Sequence, residues 1–398
     1  MADIKSYLKE KEKREQRQIG YKEKIARHKM TTFYRIALII AALAVLMVFI
    51  YAQYKRHVYT DYDVVASIER ESVSGSTDVG LGNAILTYSK DGAHCMNAMG
   101  SVNWNQTFEI QDVLRAISGN VVAIGDYNGR SIYVANSEKL IGEITTTMPI
   151  WNLAVSSNGY VTAVLADSDL VWLHIYDSSG KHIYEGQARM DGSGYPVSIS
   201  MSPNGELLCV SYLYLDAGIL KTSVAFYNFG EVGSNVSDNL VSVWNYPDSV
   251  VPQVAFMNDN TAFAVGDGRL MIYSGSHKPS PQREDLFERE VRSVFYNDKY
   301  IGLVFFSDNN ENRYMMKVYD TAAKEVGVYY FDLDYTEIFF EKNDFVVYNE
   351  TECLIMTYHE IVKFDGEFTK PVRLMLPGGG AYRYLLVTDD SIDTIQLR

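Results

Sequence analysis

Short apolar segments recur along most of this chain with a period of about 40 residues, which is typical of repeat architectures. The repeat is clearest in residues 151–187, 195–230 and 291–332. In each unit an apolar segment leads through a turn to a second one, and a third ends in Tyr-Asp or Tyr-Asn before a fourth begins. This pattern predicts a four-stranded antiparallel meander that cannot bury both of its faces alone.

Radial stacking of such meanders buries these faces and leaves only short strand edges, so the repeat predicts a β-propeller. Weaker copies of the unit begin near residues 79, 113, 252 and 334. Thirty Tyr and seventeen Phe against nine Pro also favour well-packed sheets. Roughly 330 residues in units of about 40 predict seven or eight blades.

The two ends of this region predict how the ring closes. Residues 382–398 supply strands but no complete unit, and residues 63–70 form a spare strand at the other end. Joining both segments in one blade closes the ring. Eight blades, seven complete and one shared, are therefore favoured over seven.

Residues 36–54 are nineteen consecutive positions without a charged side chain. As a helix this segment extends roughly 28 Å, close to the hydrocarbon thickness of a bilayer. Aromatic residues such as Phe33 and Tyr54 stand at its ends, as they do at membrane interfaces. A cleaved signal peptide is the alternative, but residues 51–56 lack a small-residue cleavage site. We therefore predict an uncleaved transmembrane helix over residues 34–54.

The distribution of charge predicts the orientation of this helix. Residues 1–35 contain eleven Lys and Arg against five acidic residues, whereas only Lys55 and Arg56 lie close to the other end. The positive-inside rule places residues 1–33 in the cytoplasm as a basic helical tail, which either lies on anionic lipid or serves only to fix the orientation. The C-terminal region then lies outside the cell, with residues 55–76 as a juxtamembrane strand and linker and 77–398 as an extracytoplasmic propeller.

The extracytoplasmic region is strongly acidic. The whole chain carries −14 and residues 1–35 carry +6, so with Lys55 and Arg56 also removed residues 57–398 carry −22. Such a surface disfavours nucleic acid and anionic lipid as partners.

Two segments resemble known propellers. Residues 82–105 have Gly-Asn, an apolar strand, an Asp-Gly turn and Trp104 on the outer strand, which resembles the repeat of pyrroloquinoline-quinone-type propellers. The turn at residues 202–205, Ser-Pro-Asn-Gly, is similar to the Ser-Pro-Asp-Gly turn of WD40-like and TolB-like propellers. The whole layout resembles an uncharacterised family of single-pass, membrane-anchored propeller proteins of Gram-positive bacteria, which has no established activity.

The chain departs from the quinone enzymes in the residues that hold the cofactor. Those enzymes use an adjacent Cys-Cys pair, whereas Cys95, Cys209 and Cys353 are far apart here. Most blades of a tryptophan-docked ring carry a Trp, whereas this chain has only four Trp. The resemblance therefore implies the fold but no cofactor.

The sequence shows no motif for catalysis or metal binding. Gly-x-Ser-x-Gly, P-loop, His-Glu-x-x-His and Ser-x-x-Lys patterns are absent. His94 and Cys95 lack the partner motif of a zinc site. Residues 308–312 alternate oxygen ligands as a calcium loop does, but Arg313 follows where a glycine is needed. We predict no catalytic, cofactor-binding or metal-binding residues.

Two segments are candidate binding loops, because long loops on a rigid scaffold often carry binding sites. Residues 212–220 form an apolar, aromatic insertion in the fourth unit, with Tyr212, Tyr214, Leu215 and Leu220 as possible partner-binding residues. These side chains either form an exposed patch or pack over a neighbouring blade. Residues 279–290 form a charged, Pro-containing insertion in the fifth unit.

These observations favour a non-catalytic binding or scaffolding module, anchored in the cell membrane, for an envelope protein or cell-wall polymer. The alternative is a propeller enzyme, either a glycan hydrolase or lyase or a quinone-type oxidoreductase. A sensor that signals through the tail is a third hypothesis. The lining of the central channel distinguishes the first two, since an enzyme needs convergent carboxylates, Arg or His at one mouth, whereas a scaffold needs only small and apolar residues.

Overall fold

A computed structural model describes residues 2–71, 73–167, 170–188, 194–309 and 311–398. The chain forms two compact units, Met1–Val58 and Tyr59–Arg398.

The first unit contains one helix, α1, which extends over Ala2–Arg56. Its segment Lys24–Gln53 is long and apolar enough to cross a membrane, and its apolar side chains are exposed. The transmembrane helix predicted over residues 34–54 overlaps this segment.

The strands of the second unit are short and numerous. In chain order, the first half contains β1 (Tyr62–Glu69), β2 (Thr77–Leu81), β3 (Ala84–Tyr88), β4 (Gly92–Asn97), β5 (Val102–Thr107), β6 (Val113–Ser118), β7 (Val121–Asp126), β8 (Ser131–Asn136), β9 (Leu140–Thr145), β10 (Ile150–Val155), β11 (Val161–Asp167), β12 (Leu170–Tyr176), β13 (His182–Ala188), β14 (Tyr195–Met201), β15 (Leu207–Asp216) and β16 (Ile219–Asn228).

Two short 3-10 helices, Gly233–Asn235 and Ser237–Asn239, follow β16. The second half contains β17 (Leu240–Tyr246), β18 (Gln253–Asn258), β19 (Thr261–Gly266), β20 (Arg269–Ser274), β21 (Ser280–Leu286), β22 (Ser293–Tyr296), β23 (Tyr300–Phe306), β24 (Tyr314–Asp320), β25 (Glu325–Phe331), β26 (Glu337–Phe340), β27 (Asp344–Tyr348), β28 (Glu352–Thr357), β29 (Val362–Glu367), β30 (Leu374–Gly380), β31 (Arg383–Val387) and β32 (Ser391–Leu397).

These strands form eight four-stranded antiparallel sheets within the described residues, which confirms the prediction of eight blades. Blades 1 to 7 are consecutive meanders, from β2–β5 to β26–β29, and blade 8 consists of β30, β31, β32 and β1. In blade 8, β1 pairs antiparallel with β32, with Tyr62 opposite Leu397 and Glu69 opposite Ser391. The predicted closure of the ring by the first and last segments is therefore confirmed.

The burial of each strand follows its position in the blade. The first strands of neighbouring blades contact one another around the centre of the ring. Every residue of β19, a second strand, is buried, because neighbouring blades cover both of its faces. The fourth strand β21 has no fully buried residue. This gradient explains why the middle strands have continuous apolar sequences while the outer strands carry the charges.

The recurring Tyr-Asp motif ends the third strand of a blade. The Oδ1 atom of Asp177 accepts hydrogen bonds from the backbone N–H groups of Ser179 and Lys181, at 2.9 and 3.0 Å. Asp320 accepts equivalent bonds from the backbone N–H groups of Ala322 and Lys324. The side chain therefore closes the turn into the outer strand, which is why Asp or Asn recurs there.

Turns between the first and second strands connect neighbouring blades. The Nδ2 group of Asn158 donates to the carbonyl oxygen of Asn204 at 2.8 Å, and the backbone N–H of Asn204 donates to Asp259 Oδ1 at 2.8 Å. These bonds join blades 3, 4 and 5. We call the side of the ring that carries these turns the turn face.

Candidate functional site

The centre of the ring is a channel between the first strands. Blades 2 to 6 enclose a space of about 730 Å³. The backbone N–H groups of Val254 and Phe256, on the first strand of blade 5, donate to the hydroxyls of Ser198 and Ser200, respectively, on the first strand of blade 4. This order of partners shows that the two strands run in the same direction. Small and apolar residues form most of the wall, including Ala116, Gly119, Leu153, Ala154, Val155 and Ile199.

Three charged residues also line this space. Asp259 and Asp298 lie on the turn face, where Asp259 is already bonded to the backbone of blade 4. Arg115 lies within the first strand of blade 2 and donates through Nη1 to the hydroxyl of Tyr88 at 3.2 Å. None of the described residues that line this space is His or Cys. Its wall therefore combines small and apolar residues with polar ones, among them Ser157, Asn258 and Asn297.

Blades 1, 7 and 8 enclose a second space of about 410 Å³. Its lining includes Asp78, Glu337 and Arg373. Desolvation by the surrounding walls raises the pKa of Glu337, although the residue is exposed to the enclosed space, and a backbone hydrogen bond and the charge of Arg115 oppose that rise. Asp78 and Arg373 form an ion pair with Nε and Oδ2 2.9 Å apart, so their charges are used within the wall.

The predicted apolar insertion at residues 212–220 is not a loop. It is the outer part of a hairpin in which β15 and β16 are ten residues long, whereas each other strand has between four and eight. The turn is Ala217-Gly218, with φ angles of 51° and 81°. A two-residue turn with positive φ at both positions matches the twist of a β-hairpin, so the strands continue outward as a ribbon.

The four predicted partner-binding residues lie on both faces of this ribbon. Leu215 pairs directly with Leu220, so both side chains lie on one face, and they are 55% and 52% exposed. Tyr212 and Tyr214 lie on the other face. Tyr212 is buried and its hydroxyl is 2.8 Å from that of Tyr227, so it supports the base of the hairpin. Partner binding by Tyr214, Leu215 and Leu220 stays a prediction.

The sequence analysis missed Ile219, which is 59% exposed at the tip of the hairpin. It pairs with Asp216, whose carboxylate contacts the Lys221 amine at 2.6 Å. The sequence contains a signal for Ile219: if Ala217-Gly218 is taken as a two-residue hairpin turn, Ile219 is the first residue of the returning strand and lies at the tip. The exposed tip therefore combines three aliphatic side chains with one ion pair.

The second predicted insertion, residues 279–290, is mostly the outer strand of blade 5. Strand β21 occupies Ser280–Leu286 and pairs with β20. Its charges form ion pairs, as between Arg283 Nε and Asp285 Oδ1 at 2.8 Å. The charged pattern therefore reflects an exposed strand rather than an inserted loop.

The structure places the other candidate residues apart from any shared site. His94 and Cys95 are neighbours on β4, so their side chains lie on opposite faces of the sheet. Cys95, Cys209 and Cys353 are all buried and free. Burial raises the pKa of Cys95 to about 11, so this thiol stays protonated at neutral pH. In the segment 308–312, which alternates oxygen ligands, Asp308 pairs with Arg289, and residue 310 lies outside the described residues.

Comparison with solved structures identifies other proteins of this fold. A eukaryotic initiation factor structure matches with a TM-score of 0.53 at 13% identity, covering 84% of this chain and 87% of that one. BamB from Moraxella catarrhalis matches with a TM-score of 0.47 at 10% identity, covering 85% of this chain and all of that one. At such low identity, similarity of this kind concerns the fold alone.

No curated protein matches the sequence. A family pattern covers residues 55–397, and thus the whole propeller. The chain belongs to this family, DUF5711, a family of unknown function.

Proposed function

We propose that this protein is a membrane-anchored, non-catalytic binding module whose propeller holds an envelope protein on the outside of the cell. The observation that carries the proposal is the lengthened hairpin of blade 4, with Leu215, Ile219 and Leu220 exposed at its tip. Exposed aliphatic side chains gain free energy when a partner removes them from water, at about 25 cal/mol per Å².

The chemistry of the tip favours a protein over a cell-wall polymer. Aliphatic side chains cannot form hydrogen bonds with the hydroxyls of a polysaccharide, whereas they can pack into an apolar groove on a protein. The charge of −22 on residues 57–398 also opposes anionic polymers. The two strands of the ribbon are already paired up to Asp216 and Ile219, so binding orders less of the backbone than it would in an open loop.

The hairpin and the start of the propeller lie on different faces. The start of β1 is opposite Leu397, whose backbone N–H donates to Tyr382 in the turn between β30 and β31 of blade 8. The chain thus begins the propeller on the turn face. The hairpin tip connects a second strand to a third, so it projects from the opposite face, and a partner there leaves the start of β1 free.

A site-specific crosslinking experiment tests the binding surface. A photoreactive amino acid replaces Leu220 in intact cells, with the same replacement at Leu286, which is 71% exposed on β21, as the matched control. We expect one discrete envelope protein to be crosslinked at position 220 and not at 286. With that protein purified, the combined Leu215→Ser and Ile219→Ser changes are expected to raise Kd at least tenfold. Equal crosslinking at both positions, or an unchanged Kd, contradicts the proposal.

Thiol labelling tests the predicted orientation separately. The three native cysteines are buried, so they give little background. With a reagent that does not cross membranes, we expect Leu286→Cys to react in intact cells and Lys9→Cys, in the basic tail, to react only after lysis. The reverse pattern contradicts an extracytoplasmic propeller.

A further inference from the structure

Two histidines and a glutamate meet on strands β12 and β13 of blade 3. The ligand atoms of His174, His182 and Glu185 all lie within 4.8 Å of one another. His174 Nε2 is 3.7 Å from Glu185 Oε2, and the two imidazole rings have their centres 4.6 Å apart. His182 and Glu185 are exposed, so the cluster is open to solvent on one side.

An irregularity in strand pairing brings these side chains to one face. His174 lies opposite Glu185, and Tyr176 lies opposite His182. His182 and Glu185 are three positions apart, so a regular strand places them on opposite faces. The register shifts between these pairs, which leaves Ile183 as an extra residue and returns His182 to the face of Glu185.

The innermost group of the cluster is a buried polar atom without a hydrogen-bond partner. His174 has a side chain that is 7% exposed, and its Nε2 atom is buried and unpaired within the described part of the protein. An unsatisfied buried polar atom costs about 1–3 kcal/mol. The other ring nitrogen, Nδ1, lies 3.2 Å from the Tyr176 hydroxyl, so Nε2 is the atom left for a ligand.

We propose that His174, His182 and Glu185 form a binding site for a divalent transition metal ion, with Zn²⁺ as the best match. Two imidazoles and one carboxylate with an open fourth position are a common ligand set for such ions. Neighbouring ligands of a tetrahedral zinc ion at 2.0–2.1 Å lie about 3.3 Å apart. The 3.7 Å separation of His174 and Glu185 therefore needs a contraction of a few tenths of an ångström, and separations of up to 4.8 Å within the cluster need up to about 1.5 Å.

The surroundings of His174 favour the form that binds metal. The Tyr176 hydroxyl can accept a hydrogen bond from Nδ1–H and hold the tautomer that leaves Nε2 unprotonated.

Metal titration of the full-length protein in detergent tests the site. The protein is prepared without a polyhistidine tag and stripped with a chelator, Co²⁺ is added as the spectroscopic probe, and Zn²⁺ then competes with it. We expect one equivalent of Co²⁺ to produce visible absorption bands that Zn²⁺ removes. We also expect Zn²⁺ to raise the Tm, because it binds only the folded site.

Variants separate this site from general histidine binding. His182→Ala and Glu185→Gln change exposed side chains, so the fold is retained, and each is expected to weaken Zn²⁺ binding at least tenfold. Tyr176→Phe is expected to weaken it about tenfold. His359→Ala, at an exposed histidine in blade 7, is the matched control and leaves binding unchanged. Absence of Co²⁺ bands in the wild type, or equal binding in His182→Ala, overturns the proposal.

Discussion

The junction between blades 3 and 4 and the junction between blades 8 and 1 use different chemistry. Blades 3 and 4, which follow each other in the chain, meet through buried apolar side chains such as Leu173, Ile199 and Leu208. Blades 8 and 1 also share apolar side chains, such as Ile85 and Leu374, but their junction contains in addition an ionic cluster of Arg70, Asp78 and Arg373. The closing junction thus adds buried charges to the apolar packing that both junctions share.

Asp78 is the centre of the closing junction, and its side chain is only 1% exposed. It accepts hydrogen bonds from Arg70 Nη2 at 3.1 Å and from the Thr87 hydroxyl at 2.6 Å. Arg373 Nε lies 2.9 Å from the second carboxylate oxygen. These charges are paired only when β1 and β30 are both in place beside β2. The cluster therefore links stability to correct ring closure, whereas an apolar junction accepts any surface of suitable shape.

The largest expected effect is at Asp78. Asp78→Asn keeps the size of the side chain but leaves the buried Arg70 without its counter-charge and Arg373 with only the exposed Asp389, so we expect the free energy of unfolding to fall by about 3–5 kcal/mol. Urea unfolding followed by tryptophan fluorescence measures the change. Asp389→Asn is the control, because Asp389 pairs with Arg373 but is 72% exposed, and we expect a loss below about 1 kcal/mol. If both variants lose the same free energy of unfolding, the buried charge of Asp78 has no special role in the closing junction.

The turn between β26 and β27 of blade 7, which contains Glu341 and leads to Asp344, provides a pH test. Burial and the charge of Asp344 raise the pKa of Glu341 to about 7, and burial raises that of Asp344 to about 6, against ordinary values of 4.5 and 3.8. The folded state therefore holds these protons more tightly than the unfolded chain, so their contribution to stability is full below about pH 4 and is lost as pH rises to about 7.

Glu341→Gln removes one of these two groups. We expect the variant to be more stable than the wild type at pH 8, and the difference between them to shrink as pH falls toward 4. Thermal unfolding at a series of pH values measures this difference, and Glu352→Gln, at an exposed residue of the same blade, is the control. If the difference in stability between Glu341→Gln and the wild type does not change with pH, the raised pKa of Glu341 is refuted.

The smallest effect is expected at the apolar junction. Leu208 is fully buried between blades 3 and 4. Because Leu208→Met conserves volume and introduces no charge, we expect it to cost less than about 1.5 kcal/mol. The same urea titration measures it beside Asp78→Asn. A cost equal to that of Asp78→Asn means that both junctions are equally intolerant, and that their chemistry does not distinguish them.

Local pattern was sufficient to predict the blades. The Tyr-Asp ends of the third strands and the Gly-containing turns are consequences of bonds within a few residues, as at Asp177 and Asp320. Closure of the ring by the first and last segments was also predictable. Each end of the repeat region has an incomplete unit, and joining the two ends completes one blade.

The sites were less predictable, because they depend on pairing between strands. Residues 212–220 read as an apolar loop, but the register of β15 and β16 makes them a ribbon with Tyr212 buried at its base. His182 and Glu185 share a face only because of the extra residue at Ile183. The spacing of residues along the chain reveals neither the register of strand pairing nor an extra residue within a strand pair.

Hydrophobic periodicity and turn residues act over a few positions along the chain, so they were enough to predict an apolar N-terminal helix and a ring of eight blades. Which charges are buried at ring closure, and which side chains converge on blade 3, follows from the folded ring. Residues such as Arg70 and Arg373 are about 300 positions apart in sequence, and only the closed ring brings them to the same carboxylate.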